Sequence, residues 1–188
     1  MLFGSLCLFF IGGLLYVMTI TLIFYRLIFY DVEPAEMTSP YWINMGAVAI
    51  STLAGAVLAQ VGSKSAYLDP VMPFIIGLTL FFWANATWWI PLLVIFGIWR
   101  YVVRKYTMAY SVEYWSMVFP LGMYTACTFR LSQIVFPHEL STIPHVTFWF
   151  ALAAWTGTFV GLVACVLKYL LDSGPDGKSA VASSAEAR

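Results

Sequence analysis

Long apolar segments that are almost free of charge constrain this chain more than any other feature. Of its 188 residues, 62% are hydrophobic and only 10% are charged, whereas soluble domains carry about 25% charged residues. A helix of about 20 apolar residues crosses the hydrocarbon core of a bilayer. It also satisfies its own backbone hydrogen bonds, which lipid requires. The sequence therefore predicts an all-α integral membrane protein.

Five segments have the length and apolarity of membrane-spanning helices: residues 2–25 or a little beyond, 41–61, 69–100, 113–136 and 146–171. The third segment is unusually long, because residues 70–99 would form a helix of about 45 Å at 1.5 Å per residue. It is either one tilted helix bent near Pro91 or two pieces that part there. We expect one helix, because no polar cluster interrupts the segment.

The positions of Lys and Arg predict how the chain lies in the cell membrane. With five spans, seven basic residues fall on one side and only Lys64 and Arg130 on the other. Because cytoplasmic loops carry the excess of Lys and Arg, we expect a multi-pass protein with its N-terminus outside and its C-terminus in the cytoplasm. Residues 1–172 would form the transmembrane domain. Residues 173–188 are rich in Gly, Ser and Ala and predict a disordered cytoplasmic tail.

The spans contain no chemistry that is typical of an enzyme, since paired carboxylates, histidines and an activated nucleophile are all missing from them. His138, Glu139 and His145 lie in the predicted loop between the last two spans. Thr142 stands where an HExxH motif would place its second histidine. The cysteines form no CxxC pair and lie in apolar segments: Cys7, Cys127 and Cys165. We expect no catalysis, no cofactor, no metal site and, at zero formal net charge, no nucleic-acid partner.

A proline in the middle of the fourth span marks the first candidate site. Pro120 removes one backbone hydrogen bond and bends the helix, which presents the bulky Phe119 close to the small Gly122. Two interpretations stand. These three residues form and shape a constriction in a pore, or Phe119 packs beside a proline of the kind that membrane helices tolerate. The same helical face holds Ser116, Met123, Ala126 and Arg130.

Arg130 is the only charged residue well inside a predicted span. An arginine in a span is costly and normally faces protein or water, often along an ion pathway. It lies ~16 Å beyond Phe119 along a straight helix, where it could attract anions from the external end. The alternative is that its side chain reaches the nearby membrane interface.

Small and weakly polar residues form a stripe on the second span. Asn44, Ala47 and Ser51 lie on one helical face together with Ala54 and Gly55. Such a stripe lets neighbouring helices approach closely, and it equally suits the wall of a narrow aqueous path. An uncharged path favours weak binding and fast passage of an ion.

Residues 114–125 resemble the penultimate helix of the tellurite-resistance and C4-dicarboxylate transporters. That family lies in the voltage-dependent anion channel superfamily and is related to the slow anion channels of plant guard cells. Residues 42–47 resemble the start of an earlier pore helix of the family. The long third span, with aromatic residues 81–83, and a short final span follow the family order.

The resemblance implies an architecture of ten helices in five hairpins, with the first helix of each hairpin lining a central pore. A phenylalanine on the penultimate helix plugs that pore, and Phe119 matches it. On this alignment the chain corresponds to helices six to ten, so it supplies only two of the five pore-lining helices. Family members commonly form trimers, and a homo-oligomer or a separate N-terminal half would have to complete the pore.

Together these features predict transmembrane transport of small anions, such as C4-dicarboxylate, tellurite or inorganic anions, through a pore gated by Phe119. The alternative is an incomplete, non-transporting membrane fragment or an accessory subunit that needs a second polypeptide. The sequence does not separate one anion from another. A passive channel is favoured over a proton-coupled carrier, because no titratable relay is visible in the spans.

Overall fold

The computed structural model describes residues 2–31, 33, 36–63, 68–107 and 110–172. Its long helices are α1 (Leu2–Phe29), α2 (Trp42–Gly62), α3 (Met72–Ile98), α4 (Trp115–Ser132) and α6 (Thr142–Asp172), with the short α5 (Pro137–Leu140) between the last two. A single 3₁₀ turn leads into each of three helices: Ser39–Tyr41 into α2, Asp69–Val71 into α3 and Val112–Tyr114 into α4. A π-helical turn, Trp99–Val103, extends α3. The predicted tail of residues 173–188 lies outside the described residues.

Four of the long helices, taken with their flanking turns, are long and apolar enough to cross a membrane: Leu2–Phe29, Ser39–Gly62, Asp69–Val103 and Pro137–Leu171. α4 is the fifth and the least apolar of them. Its 18 residues extend ~27 Å, close to the thickness of a bilayer core. The prediction of an all-α integral membrane protein is confirmed, and α3 is one continuous helix with Pro91 inside it.

α2 lies at the centre of the structure and packs on both α3 and α4. α2 and α3 are antiparallel, because Gly62 at the end of α2 lies beside Met72 at the start of α3. α2 and α4 are parallel, because Gly46 in the first turns of α2 lies against Pro120 in the first turns of α4. Two helices that begin on the same side of the membrane are thus held in direct contact.

α1 and α6 flank this central group. α1 runs parallel to α3, since Phe10 packs on Phe74 near the start of α3 and Phe24 stacks on Trp89 further along, at ring centroid distances of 5.6 and 5.4 Å. α6 packs along α4, where Thr125 Oγ1 donates a hydrogen bond of 3.0 Å to Thr147 Oγ1. α1 therefore completes the core on one side, whereas α6 packs on α4 but adds no side chain to the buried apolar core of the described residues.

The basic residues of the described loops collect at one end of the bundle. The ends of α1 and α3 lie there with the starts of α2 and α4, and Arg26 donates a 3.4 Å hydrogen bond to the Tyr41 hydroxyl. Arg26 also pairs with Glu36 at 2.9 Å. This grouping agrees with the sides that the sequence analysis assigned to the basic residues, except that Lys64, Lys178 and Arg188 lie outside the described residues. The orientation of the bundle in the membrane stays a prediction.

The last span differs from its prediction. α6 begins at Thr142 and has 31 residues, so the expectation of a short final span is wrong. Pro144 falls in its first turn, where a missing N–H costs no helical hydrogen bond. His145 consequently belongs to this first turn rather than to a loop, and Pro137 and His138 begin the short helix α5.

Candidate functional site

The sides of α2 and α4 that face α3 are tightly packed and hydrogen-bonded. Thr87 of α3 and Tyr124 of α4 share a hydrogen bond of 2.8 Å between their hydroxyl groups. Trp83 Nε1 donates to Thr128 Oγ1 at 3.0 Å. Hydrogen bonds of this kind between membrane helices contribute about 0.6 kcal/mol each on average. They fix the rotation of α4 about its axis, and with it the direction in which the rest of the helix points.

On the side of α4 opposite these bonds, a row of residues is left exposed. Phe119 is 57% exposed, and Ala126 and Arg130 follow it on the same face. These positions differ from Phe119 by about 20° at 100° per residue, as the sequence predicts. The row thus combines an aromatic ring, a small residue and a cation along one line.

α2 has a matching exposed row on its side away from α3. Ile43, Ile50 and Val57 are exposed at intervals of seven residues. Because α3 packs behind both helices, the rows of α2 and α4 lie on the same side of the α2–α4 pair. We call these six residues the open face: Ile43, Ile50, Val57, Phe119, Ala126 and Arg130.

The residues that the sequence analysis predicted to line a pore on α2 lie at the edge of the open face. Asn44, Ala47 and Ser51 are half-buried, and the Ser51 hydroxyl donates to the carbonyl of Ala47 at 3.0 Å. Ser51 also lines a cavity shared with α1. The seven-residue spacing of Ile43, Ile50 and Val57 is the signal that would have located the exposed row. Sequence reasoning missed it because it followed polarity instead.

The remaining predicted residues surround Phe119 in different ways. Pro120 is buried, and its ring lies against Gly46 of α2 so closely that a Cβ at Gly46 would be 2.9 Å from Pro120 Cγ. Gly122 is exposed, and a Cβ there would meet nothing within 4 Å. Ser116 and Met123 are half-buried beside the open face. Phe119 therefore has a fixed helix behind it and free space beside it.

A wide apolar groove borders the open face between α4 and α6. It has a volume of about 700 Å³, and Gly122, Ala126, Phe129 and Trp149 are among its lining residues. Phe129 lies on the groove side of α4 and is 52% exposed. Histidine 145 also lines this groove, but among the described residues no three His, Cys, Asp or Glu side chains lie together as a metal site would need.

The all-helical membrane fold agrees with the results of comparing the sequence with known proteins. A family model described as voltage-dependent anion channel matches residues 1–163. The chain belongs to the voltage-dependent anion channel family. This membership supports a channel or transporter as its class rather than an enzyme, and it agrees with the resemblance carried by residues 114–125.

The curated relatives of this family member fall into two groups, which differ in the share of their own length that the match covers. An uncharacterized membrane protein of Mycobacterium tuberculosis strain H37Rv is 38% identical over 149 residues, which are 79% of this chain and 75% of that protein. An uncharacterized transporter of Methanocaldococcus jannaschii is 27% identical over 149 residues, 79% of this chain and only 42% of the transporter. A second M. jannaschii transporter gives 27% over 152 residues and 41% of its length. No solved structure matches the chain.

Proposed function

We propose that this chain forms part of the wall of a membrane pore that conducts small anions and is gated by Phe119. The observation that carries the proposal is the open face. Two parallel helices, locked together by Gly46 and Pro120, leave a continuous row of exposed residues on the side away from α3. The family membership and the word transporter in the names of two relatives support anion transport in general.

Phe119 suits the role of a gate because its ring is exposed and has room to move. Pro120, fixed against α2, holds the backbone beneath it, whereas the bare Gly122 leaves open space one turn further along. A ring that blocks a narrow apolar path raises the barrier for a hydrated ion. Removal of the ring should therefore open the path without disturbing the helix packing behind it.

Arg130 supplies the positive potential in this proposal. It is the single ionisable residue of the open face and lies in the last turn of α4, ~16 Å from Phe119 along a straight helix. At that distance it can raise the local concentration of anions without binding them tightly. Since no residue of the open face, Arg130 included, can exchange a proton near pH 7, a passive channel fits better than a proton-coupled carrier.

The rest of the wall must come from other helices. α2 and α4 cover one side of a path only, and the ten-helix architecture implied by the resemblance has five pore helices. We propose that further copies of this chain, or a second polypeptide equivalent to the N-terminal half, supply the others. The much greater length of the two M. jannaschii transporters supports such a division. C4-dicarboxylate, tellurite and inorganic anions are all candidate substrates.

The experiment is anion efflux from liposomes that contain the purified chain, with wild type, Phe119→Ala and Phe129→Ala compared at equal protein content. Phe129 is the matched control, because it is an exposed phenylalanine of the same helix that faces the α4–α6 groove. We expect Phe119→Ala to raise efflux by about tenfold or more, which corresponds to about 1.4 kcal/mol of barrier. Phe129→Ala should stay near the wild-type rate.

Efflux that is equal in the folded wild type and in Phe119→Ala, for chloride, nitrate and malate alike, would remove Phe119 from the gate. If all three proteins are silent alone, the assay is repeated with a second polypeptide equivalent to the N-terminal half of the ten-helix architecture. Activity only in that mixture identifies the second polypeptide as the missing wall. Silence in both assays supports the alternative, a non-transporting accessory subunit.

A further inference from the structure

A second cavity, at the basic end of the bundle, has a different character from the open face. It has a volume of about 280 Å³ and lies between the end of α3 and the 3₁₀ turns that lead into α2 and α4. Every residue that lines it carries a hydroxyl, a guanidinium or a carboxylate group, among them Ser39, Arg100, Tyr110, Ser111 and Glu113. A lining of this kind suits a small polar ligand rather than a lipid tail.

Arg100 is the charged centre of this cavity. It is only 8% exposed, and one of its Nη atoms donates to the backbone carbonyl of Met37. Its guanidinium also lies over the Tyr106 ring, with Cζ 4.5 Å from the ring centroid. No carboxylate of the described residues lies within ion-pair distance of it. A buried cation without a counter-charge is costly. An anion bound beside the Arg100 guanidinium would offset this cost.

Two buried donors near this centre have no hydrogen-bond partner in the described structure: Arg100 Nε and the hydroxyl of Tyr110. Buried polar groups are nearly always hydrogen-bonded, and a bound ion is one of the accepted reasons for an exception. The Tyr101 and Tyr114 hydroxyls lie 3.3 Å apart on the same wall.

The charges around the cavity favour an anion, rather than a cation, as its ligand. Glu113 is the one carboxylate in the lining, and it is exposed, whereas Arg100 is buried. Arg104 and Lys105 follow directly after the π-helical turn that carries Arg100. The positive ends of the α2 and α4 helix dipoles point to the same end of the bundle, where they stabilise negative charge.

We propose that the cavity around Arg100 binds an oxyanion, held by the Arg100 guanidinium and the Tyr110 hydroxyl. A planar guanidinium pairs with two oxygen atoms of a phosphate or carboxylate group. The bound group is a free anion such as phosphate or the phosphate of an anionic lipid headgroup, since the site lies at the end of the spans. The proposal does not depend on the pore and does not require transport.

The test uses the purified full chain in two arms. In the first, delipidated protein is titrated with radiolabelled phosphate at constant ionic strength; in the second, nanodiscs with phosphatidylglycerol are examined by native mass spectrometry for retained lipid. We expect Arg100→Gln to weaken binding by about tenfold or more and Tyr110→Phe by about threefold. Glu113→Gln should tighten binding, because it removes a repelling charge. Arg104→Gln is the matched control: it removes an equal charge near the cavity but outside its lining, so it should weaken binding far less than Arg100→Gln.

The arms distinguish the source of the anion. If the Arg100→Gln and Tyr110→Phe variants bind phosphate more weakly than wild type does, the ligand is a free oxyanion. If they retain less lipid than wild type does, the ligand is a lipid headgroup. Should Arg100→Gln fail to fold because it no longer holds the Met37 carbonyl, Tyr110→Phe and Glu113→Gln decide, since both leave that hydrogen bond intact. The proposal is overturned if these variants bind phosphate and retain lipid as wild type does, or if Glu113→Gln weakens binding and thereby reveals Glu113 as the true partner of Arg100.

Discussion

The two sides of the α2–α4 pair differ in the residues from which they are built. Toward α3 they carry small residues and hydroxyl groups, with Gly55 beside Thr79 and a hydrogen bond between Thr87 and Tyr124. Away from α3 they carry large side chains that touch little, such as Ile50 and Phe119. Small residues let helices approach closely in a membrane. The side facing α3 is therefore suited to permanent helix–helix contact. The opposite side is left without a large contact among the described helices.

Exposure alone does not show whether the side away from α3 meets water or lipid, because lipid also covers apolar surfaces. α1 carries a purely aliphatic row of the kind that suits lipid, with Leu15 and Leu22 exposed one after the other. The open row of α4 is different, since an aromatic ring is followed by a small residue and then by Arg130. A charge and a bare glycine beside the ring suit a path for ions better than a contact with acyl chains.

The largest effect should come from filling the tightly packed side. In Gly55→Ala the new Cβ would collide with Thr79 Oγ1 and lie 2.9 Å from Phe9 Cζ, so α1, α2 and α3 must move apart. Overpacking of this kind costs about 1–3 kcal/mol. We expect a clearly lower free energy of unfolding, measured in mixed micelles by tryptophan fluorescence during titration with a denaturing detergent.

Gly122→Ala is the control for that substitution on the open side. Nothing lies within 4 Å of its new Cβ, and alanine favours a helix by about 1 kcal/mol over glycine. Stability should stay the same or increase. Equal losses in the two variants would show that the two sides do not differ in packing.

A smaller effect is expected from a hydrogen bond that fixes the rotation of α4. Trp83→Phe keeps an aromatic ring but removes the 3.0 Å bond to Thr128 Oγ1, which should lower the free energy of unfolding by about 0.6–1.5 kcal/mol. Trp88→Phe is the matched control, because Trp88 is the exposed tryptophan of the same helix. A larger loss from Trp88→Phe would contradict the importance given to the side facing α3.

The smallest effect concerns ion preference. Arg130→Gln should lower the permeability of anions relative to cations by about twofold to fivefold, because an exposed charge in the last turn of α4 acts through a partly screened field. The measurement is a reversal potential in a salt gradient across a planar bilayer, in the Phe119→Ala background. Lys168→Gln, at the far end of α6, is the control, and an equal change in both variants removes Arg130 from the pathway.

Much of the fold could be predicted from the sequence, because a segment that crosses lipid must be apolar, long enough to span it and able to satisfy its own backbone hydrogen bonds. The start of α2 follows Ser39 and Pro40, whose chemistry is typical of a helix N-terminus, and it differs from the prediction by one residue. The row of Phe119, Ala126 and Arg130 could be predicted from helical geometry alone. The start of α6 could not, since the predicted span began at residue 146, whereas the helix begins at Thr142 because Pro144 is compatible with a first turn.

The sequence was less informative on α2 and at Arg100. Polarity directed attention to Asn44 and Ser51, whereas the exposed residues of α2 are aliphatic. In a membrane protein, burial does not follow polarity as it does in water, because lipid accepts apolar side chains on the outside. Arg100 entered the sequence argument only as a count of charge. Its burial depends on Met37, which is 63 residues away along the chain, and on Tyr106, which lies beyond the end of the π-helical turn.

The most direct test of the central claim asks whether the open face meets water. In a background without reactive cysteines, Phe119→Cys and Leu15→Cys are treated with a charged, membrane-impermeant thiol reagent. Phe119 and Leu15 are equally exposed in the isolated chain, at 57% each, and a thiol reacts as its thiolate, which does not form in lipid. We predict rapid reaction at position 119, slowed by added anion, and none at position 15. Equal inertness of the two thiols would contradict an anion path along the open face.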